Sequence, residues 1–217
     1  MSEEAKLREQ ICGIAASMFA RGLTAGSSGN ISARLGDGRL LVTPTGSSFG
    51  SLDPARLSLF DAKGRFIDGD KPTKEMPLHS AFYETRGAGT GAVVHLHSTH
   101  SVAVSLLPDI DPDSVFKPLT AYSIMRLGKV KLLPYIRPGD PAMGDAVRSL
   151  AGKRSAVLLA HHGPVVAGKD LEAAAYAMEE LEETAKLTLL TQGLRPRILE
   201  APQIRELVQH FDVEWDD

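Results

Sequence analysis

Apolar residues recur every three or four positions in several stretches of the chain, which is the spacing of one face of an α-helix. The first stretch predicts a helix over residues 5–21 that ends at Gly22, and the longest predicts a helix over residues 171–191. Three shorter helices are predicted over residues 76–86, 140–151 and 203–211.

Short apolar segments between turn residues predict strands. Two hairpins are expected, one around Asp37-Gly38 and one around residues 62–64. The predicted strands cover residues 31–34, 39–43, 58–60, 65–68, 92–96, 155–160 and part of 127–135. Hairpins mixed with helices indicate an α/β protein whose sheet is not purely parallel.

Composition narrows the class of protein. The chain has 217 residues, a net charge of -3 and a single cysteine, Cys12, which excludes an intrachain disulfide. This length predicts one domain over residues 1–217. The charged N-terminus and the absence of a run of about 20 apolar residues predict a cytoplasmic protein with no membrane partner. The near-neutral charge argues against a nucleic-acid partner.

Two histidines lie two positions apart in a predicted strand, in Val94-His95-Leu96-His97. Residues i and i+2 of a strand point to the same face, so the two imidazoles are expected side by side. Such a pair can begin a zinc site. Paired histidines also occur as ordinary polar surface, so this pair alone does not define a metal site.

His161 and His162 directly follow the buried strand predicted over residues 155–160, and Gly163 comes next. Polar residues at the end of a buried strand often line a functional site. One of the two could complete a set of three histidines, and three protein ligands with an open position are typical of catalytic zinc. The alternative is a structural pair at a strand end.

A carboxylate and two loops add to the candidates. Glu75 could act as a fourth metal ligand or a general base, or it could simply complement the dipole of the helix it precedes. His79 lies four residues later on the same helix face and could support it. The small-residue loops 26–30 and 43–46 could bind a phosphate through backbone N–H groups and hydroxyls, or could be ordinary turns.

In their order along the chain, these segments resemble the class II aldolase and adducin-head family, typified by L-fuculose-phosphate aldolase. The resemblance extends from the first helix to about residue 190. It rests on residues 22–32, residues 41–46, Glu75, residues 93–97 and His161-His162-Gly163. It implies a three-layer α/β/α sandwich around a mainly antiparallel sheet, and a homotetramer with active sites between subunits.

The resemblance also implies roles for individual residues. The family's metal ligands match His95, His97 and His162, which would bind Zn²⁺ or another divalent ion. Glu75 matches the catalytic glutamate and would also contact the metal. Tyr122 matches a catalytic tyrosine that a neighbouring subunit supplies. The substrate-binding positions fall on Gly29, Asn30, Thr45, Gly46, Thr73 and Lys74. At the last two of these the family usually has two serines.

Zinc with three neutral imidazoles keeps most of its charge and can polarise a ketone, which stabilises an enediolate. Retro-aldol cleavage and decarboxylation of a 3-oxo acid both use that property. Residues 72–75, 118–128 and 133–141 resemble the family branch that acts on 3-oxo-tetronate 4-phosphates. The predicted reaction is therefore zinc-dependent decarboxylation of such a phosphorylated sugar acid to dihydroxyacetone phosphate and CO2.

Several alternatives stay open from the sequence. The first is a sugar-phosphate aldolase that releases dihydroxyacetone phosphate and an aldehyde. A sugar-phosphate epimerase or dehydratase would use the same site, and an adducin-head-like interaction domain would use none of it. Lys74, Arg126 and Arg137 are candidates to bind a substrate carboxylate, or are surface charges, and His100 could touch the substrate.

Overall fold

The computed structural model describes residues 1–215, so the last two residues of the predicted domain lie outside the described part. The helices are α1 (Glu3–Ala20), α2 (Met76–Arg86), α3 (Thr99–Ser105), α4 (Ala121–Leu127), α5 (Ala142–Arg148), α6 (Leu171–Leu190) and α7 (Ala201–Phe211). The strands are β1 (Asn30–Arg34), β2 (Leu40–Val42), β3 (Ser58–Phe60), β4 (Phe66–Asp68), β5 (Ala92–His95), β6 (Lys131–Leu133), β7 (Ala156–Leu159) and β8 (Gly163–Gly168).

These strands form one sheet in the order β4-β3-β2-β1-β5-β8-β7-β6. Neighbouring strands are antiparallel, apart from the parallel pair β6 and β7. Helix α5 lies between β6 and β7 in the chain and makes the crossover that a parallel pair needs. The prediction of a mainly antiparallel α/β sheet is confirmed.

Side chains of the central strands alternate between two apolar layers. Val94 and Leu96 pack in the layer that includes α1 and α6. Val93 packs in the opposite layer, with α2 and α5. The three-layer α/β/α architecture is therefore confirmed. The same alternation directs His95 toward the α2 side of the sheet.

The sequence explains how α2 is placed beneath this part of the sheet. Glu75 occupies the N-cap position, Pro77 lies in the first turn where it costs no helical hydrogen bond, and Gly87 ends the helix at φ 56°. Leu78 and Phe82 are spaced four apart and are fully buried against the sheet. The buried face of α2 thus fixes Glu75 at the edge of the central strands.

Some predicted boundaries were wrong. The helix predicted over residues 140–151 covers only Ala142–Arg148, whereas the strand predicted within residues 127–135 is present as Lys131–Leu133. Leu127 belongs to α4, which Gly128 ends at φ 61°. Strand β5 stops at His95, so His97 lies just beyond it. Strand β8 and the short helices α3 and α4 were not predicted.

Within residues 1–215, no helix has the length and apolar character required to cross a bilayer.

Candidate active site

Three histidines converge at one end of the central strands. His95 is the last residue of β5, His97 follows two residues later, and His162 lies in the tight turn between β7 and β8. The Nε2 atom of His95 is 3.1 Å from Nε2 of His97 and 3.3 Å from Nε2 of His162. Tetrahedral zinc with nitrogen ligands at about 2.0–2.1 Å requires ligand nitrogens about 3.3 Å apart. The three imidazoles therefore fit a divalent metal.

A backbone contact fixes the ring orientation of His95. Its Nδ1–H donates to the carbonyl oxygen of Pro164 at 2.8 Å, and the residue is fully buried. With Nδ1 protonated, the Nε2 lone pair of a neutral imidazole faces His97 and His162. This is the usual way in which a second hydrogen bond prepares a histidine for a metal.

The protonation state of the cluster also favours a metal. Burial lowers the pKa of His95 well below its ordinary value, and nearby His162 and His97 lower it further. Burial likewise lowers the pKa of His97 and of His162, although Glu75 opposes the shift in His162. Neutral imidazoles are the form that binds metal, so the site needs no proton release at neutral pH.

The carboxylate of Glu75 faces the same point. Its Oε2 is 3.5 Å from Nε2 of His95, and its Oε1 is 3.4 Å from Nε2 of His162. Glu75 is only 5% exposed. From this position the carboxylate can contact a bound metal or exchange a proton with a substrate beside it.

An open cavity of about 470 Å³ lies next to this cluster. Glu75, His97, His162 and Pro138 form part of its wall. The six positions predicted to bind substrate also line it: Gly29, Asn30, Thr45, Gly46, Thr73 and Lys74. The structure thus brings the predicted metal ligands, the glutamate and the loops together.

Two loop contacts refine these assignments. The side-chain amide of Asn30 donates from Nδ2 to Oε2 of Glu75 at 2.7 Å, so this amide is committed to the glutamate. The backbone N–H of Thr45 donates to the carbonyl of Lys71 at 2.9 Å. Thr45 would therefore reach an anion through its hydroxyl.

The other candidate residues named from the sequence do not line this cavity. Tyr122 is 56% exposed on α4, in the helical layer opposite α2, with the guanidinium of Arg126 6.0 Å from its ring centroid. Neither residue lines the cavity of this chain. Arg137 pairs with Asp140 at 3.2 Å. His100 contacts the buried Glu182 through Nδ1 at 2.8 Å, which anchors the start of α3.

The buried His79 contributes to stability in a pH-dependent way. Its pKa is lowered from 6.5 to about 3, mainly by burial and also by His95, while Glu75 opposes the shift. Below pH 6.5 the unfolded chain binds a proton at this position that the folded chain does not. We expect the metal-free protein to lose stability as the pH falls from about 6.5 toward 3. The free energy of unfolding, measured with urea at pH 7.5 and 5.0, should fall less for His79→Gln than for wild type. An equal fall in both proteins would assign the pH dependence to other groups.

The chain belongs to the Class II Aldolase and Adducin N-terminal domain family, whose sequence model matches residues 9–189. It is 51% identical over 205 residues to 3-oxo-tetronate 4-phosphate decarboxylase of Escherichia coli strain K12, covering 94% of this chain and 96% of the relative. L-fuculose phosphate aldolase of the same strain is more distant, at 34% identity over 194 residues, with 88% and 86% covered.

A solved structure agrees with this assignment. The crystal structure of YgbL from Escherichia coli superposes with a TM-score of 0.92 at 48% identity, covering 95% of this chain and 99% of that one. The predicted family and fold are therefore confirmed.

Proposed function

We propose that this protein is a metal-dependent carbon–carbon lyase that converts 3-oxo-tetronate 4-phosphate into dihydroxyacetone phosphate and CO2. The observation that carries the proposal is the convergence of three neutral histidine Nε2 atoms and the Glu75 carboxylate on one wall of a cavity lined by small-residue loops. The decarboxylase relatives named above support the substrate, because they are similar over nearly the whole chain.

Zinc is the proposed metal, held by His95, His97 and His162, because three imidazoles with an open position are typical of catalytic zinc. When bound, it would supply a Lewis acid that polarises the substrate carbonyl and accepts developing negative charge.

The remaining chemistry falls to Glu75. Decarboxylation breaks the bond between the carboxylate carbon and C2, releases CO2, and leaves the electron pair on C2, next to the C3 carbonyl. A proton must then reach C2 to give the hydroxymethyl group of dihydroxyacetone phosphate. The Glu75 carboxylate lies at the cavity wall within 3.5 Å of two proposed ligands, and we assign it this transfer.

The proposed phosphate site is formed by the two small-residue loops and Thr73. Gly29 and Gly46 have φ of 85° and 71°, so their backbones take conformations that other residues rarely adopt. A Cβ at Gly29 would lie 2.9 Å from the carbonyl oxygen of His95. The hydroxyl of Thr73 accepts from the N–H of Glu75 at 3.2 Å, so its proton can be donated to a phosphate oxygen.

Lys74 is proposed to bind the substrate carboxylate before cleavage. Its methylenes pack closely against Gly139, where a Cβ would lie 3.0 Å from Cδ, and its charge helps to lower the pKa of His162. Lys74→Met should raise KM for the 3-oxo acid by about 10- to 100-fold, the value of one charge-assisted contact. Steady-state kinetics would measure this, with the exposed Lys63→Met as a control that should change nothing. An unchanged KM would make Lys74 a surface charge.

A product assay tests the function. The metal-loaded protein is incubated with 3-oxo-tetronate 4-phosphate and, separately, with L-fuculose 1-phosphate, while CO2 and dihydroxyacetone phosphate are followed. CO2 from the first substrate without cleavage of the second is the expected result. Cleavage of the second alone would make the protein an aldolase, which is the second candidate because the aldolase relative shares the family.

Other features stay predictions. A homotetramer with Tyr122 supplied by a neighbouring subunit is supported by the exposure of Tyr122 outside the cavity of its own chain. The cytoplasmic location is likewise a prediction from the sequence.

A further inference from the structure

The Glu75 carboxylate and the four buried polar side chains behind it form one continuous series of hydrogen bonds. Asn30 Nδ2 is 2.7 Å from Glu75 Oε2, and Asn30 Oδ1 is hydrogen-bonded to His79 Nε2. His79 Nδ1 is 2.7 Å from Ser32 Oγ, which is 2.9 Å from the hydroxyl of Tyr83. None of the five residues is more than 8% exposed. We call this series the Glu75 relay.

The donors and acceptors of the relay can be ordered from Glu75 inward. An ionised carboxylate only accepts, so Asn30 presents its NH2 group to Glu75 and its oxygen to His79. His79 must then be protonated at Nε2 and donate to Asn30. Because burial keeps this imidazole neutral, Nδ1 is an acceptor and the Ser32 hydroxyl donates to it. The remaining bond runs from the Tyr83 hydroxyl to Ser32.

The far end of the relay is attached to the rigid centre of the sheet. Ser32 lies in β1 directly opposite Val93 of β5. The guanidinium of Arg34, which also belongs to β1, lies 4.6 Å from the Tyr83 ring centroid. The position of Glu75 is therefore tied to the strand that ends in His95.

We propose that His79 is a positioning residue, which fixes the orientation of the Asn30 amide and thereby holds the Glu75 carboxylate toward His95 and His162. The proposal rests on the proton-transfer role of Glu75 in the proposed function. An amide turned by 180° would present its oxygen to the carboxylate and repel it, and the Nε2–H of His79 opposes that turn. Catalytic groups held by such supporting contacts lose efficiency when the support is removed.

Two substitutions of His79 separate positioning from packing. His79→Phe fills the space without hydrogen bonds, whereas His79→Gln keeps one donor and one acceptor. We expect kcat for the 3-oxo acid to fall at least tenfold in the phenylalanine variant, with KM within twofold of wild type and metal content unchanged. The glutamine variant should recover kcat to within about threefold of wild type. Proton transfer by a positioned group contributes about 100- to 10,000-fold, which leaves ample room for the tenfold fall expected in the phenylalanine variant.

A matched control is Thr90→Val, because the Thr90 hydroxyl is buried without a hydrogen-bond partner in the described chain. It should leave kcat unchanged. If His79→Phe does not fold, Ser32→Ala removes the donor to Nδ1 with a smaller change and should lower kcat about threefold or more. Wild-type kcat in the variant that folds would overturn the proposal, as would a glutamine variant as slow as the phenylalanine variant.

A spectroscopic test is independent of the reaction. In the ¹⁵N-labelled, metal-free protein at pH 7.5, two-bond ¹H–¹⁵N correlations should show His79 as a neutral imidazole protonated at Nε2. Protonation at Nδ1 would overturn the relay. Correct protonation in a protein that does not release CO2 would retain the relay and reject only the proposed function.

Discussion

Replacing His162 with alanine is expected to remove the metal and abolish activity while leaving the fold intact. The substitution deletes one of three nitrogen ligands, and loss of a merely supporting contact already costs about 10- to 100-fold in metal affinity. We therefore expect zinc affinity to fall by more than about 100-fold. The Nδ1 atom of His162 is buried without a partner in residues 1–215, so the deletion breaks no hydrogen bond of that nitrogen.

Zinc competition titration and metal analysis would measure this loss, with circular dichroism to check the fold. His161→Asn is the matched control. His161 is the adjacent residue, its ring packs edge-to-face on Tyr135 with centroids 6.2 Å apart, and its φ of 58° is one that asparagine tolerates. Full zinc occupancy in His162→Ala would show that His162 is not a ligand.

Replacing Glu75 with glutamine should separate chemistry from metal binding. Glutamine keeps the shape and offers an oxygen to Asn30 Nδ2, but it does not transfer the proton. Since general acid–base catalysis contributes about 100- to 10,000-fold, kcat should fall in that range. The three imidazoles remain in place, so zinc content should be retained.

Single-turnover measurement of CO2 release by zinc-loaded protein would test this second prediction. Glu84→Gln is a suitable control because Glu84 lies on the same helix, more than half exposed, and pairs with Arg148 at 2.7 Å. A wild-type rate in Glu75→Gln would refute the proton-transfer role. Loss of zinc together with the rate would instead assign Glu75 to the metal as a ligand.

The sequence predicted the histidine cluster through strand periodicity and family resemblance together. Alternation along β5 places His95 and His97 on one face even though the strand ends at His95. The choice of His162 over His161 came from the resemblance. Within residues 1–215 it is His162, and not His161, that lies with His95 and His97, and its role as a metal ligand stays a prediction. The antiparallel sheet likewise followed from two hairpins and the family.

Strand β8 was missed because its sequence, Gly163-Pro164-Val165-Val166-Ala167-Gly168, contains residues that disfavour strands. It pairs on both sides, with β5 and β7, so tertiary pairing overrides that local preference. Helices α3 and α4 have seven residues each, too few to show a helical period.

The Glu75 relay could not be read in full from the sequence. The spacing of four residues between Glu75 and His79 indicated only that His79 could support Glu75. The link between them passes through Asn30, 45 residues before Glu75 and 49 before His79 in the chain. Only the pairing of β1 with β5 brings that amide to the helix. Long-range contacts of this kind depend on sheet register, which local patterns do not specify.

The turn between β7 and β8 restricts how the length of this chain can vary. It carries His162, and two residues later Pro164 provides the carbonyl that orients His95. Between them Gly163 passes so near Leu96 that a Cβ would lie 2.2 Å from its carbonyl oxygen. One inserted or deleted residue here would displace one proposed ligand and disorient a second at once. Insertions and deletions are therefore expected to accumulate in exposed turns such as residues 62–64 and to be excluded from this turn.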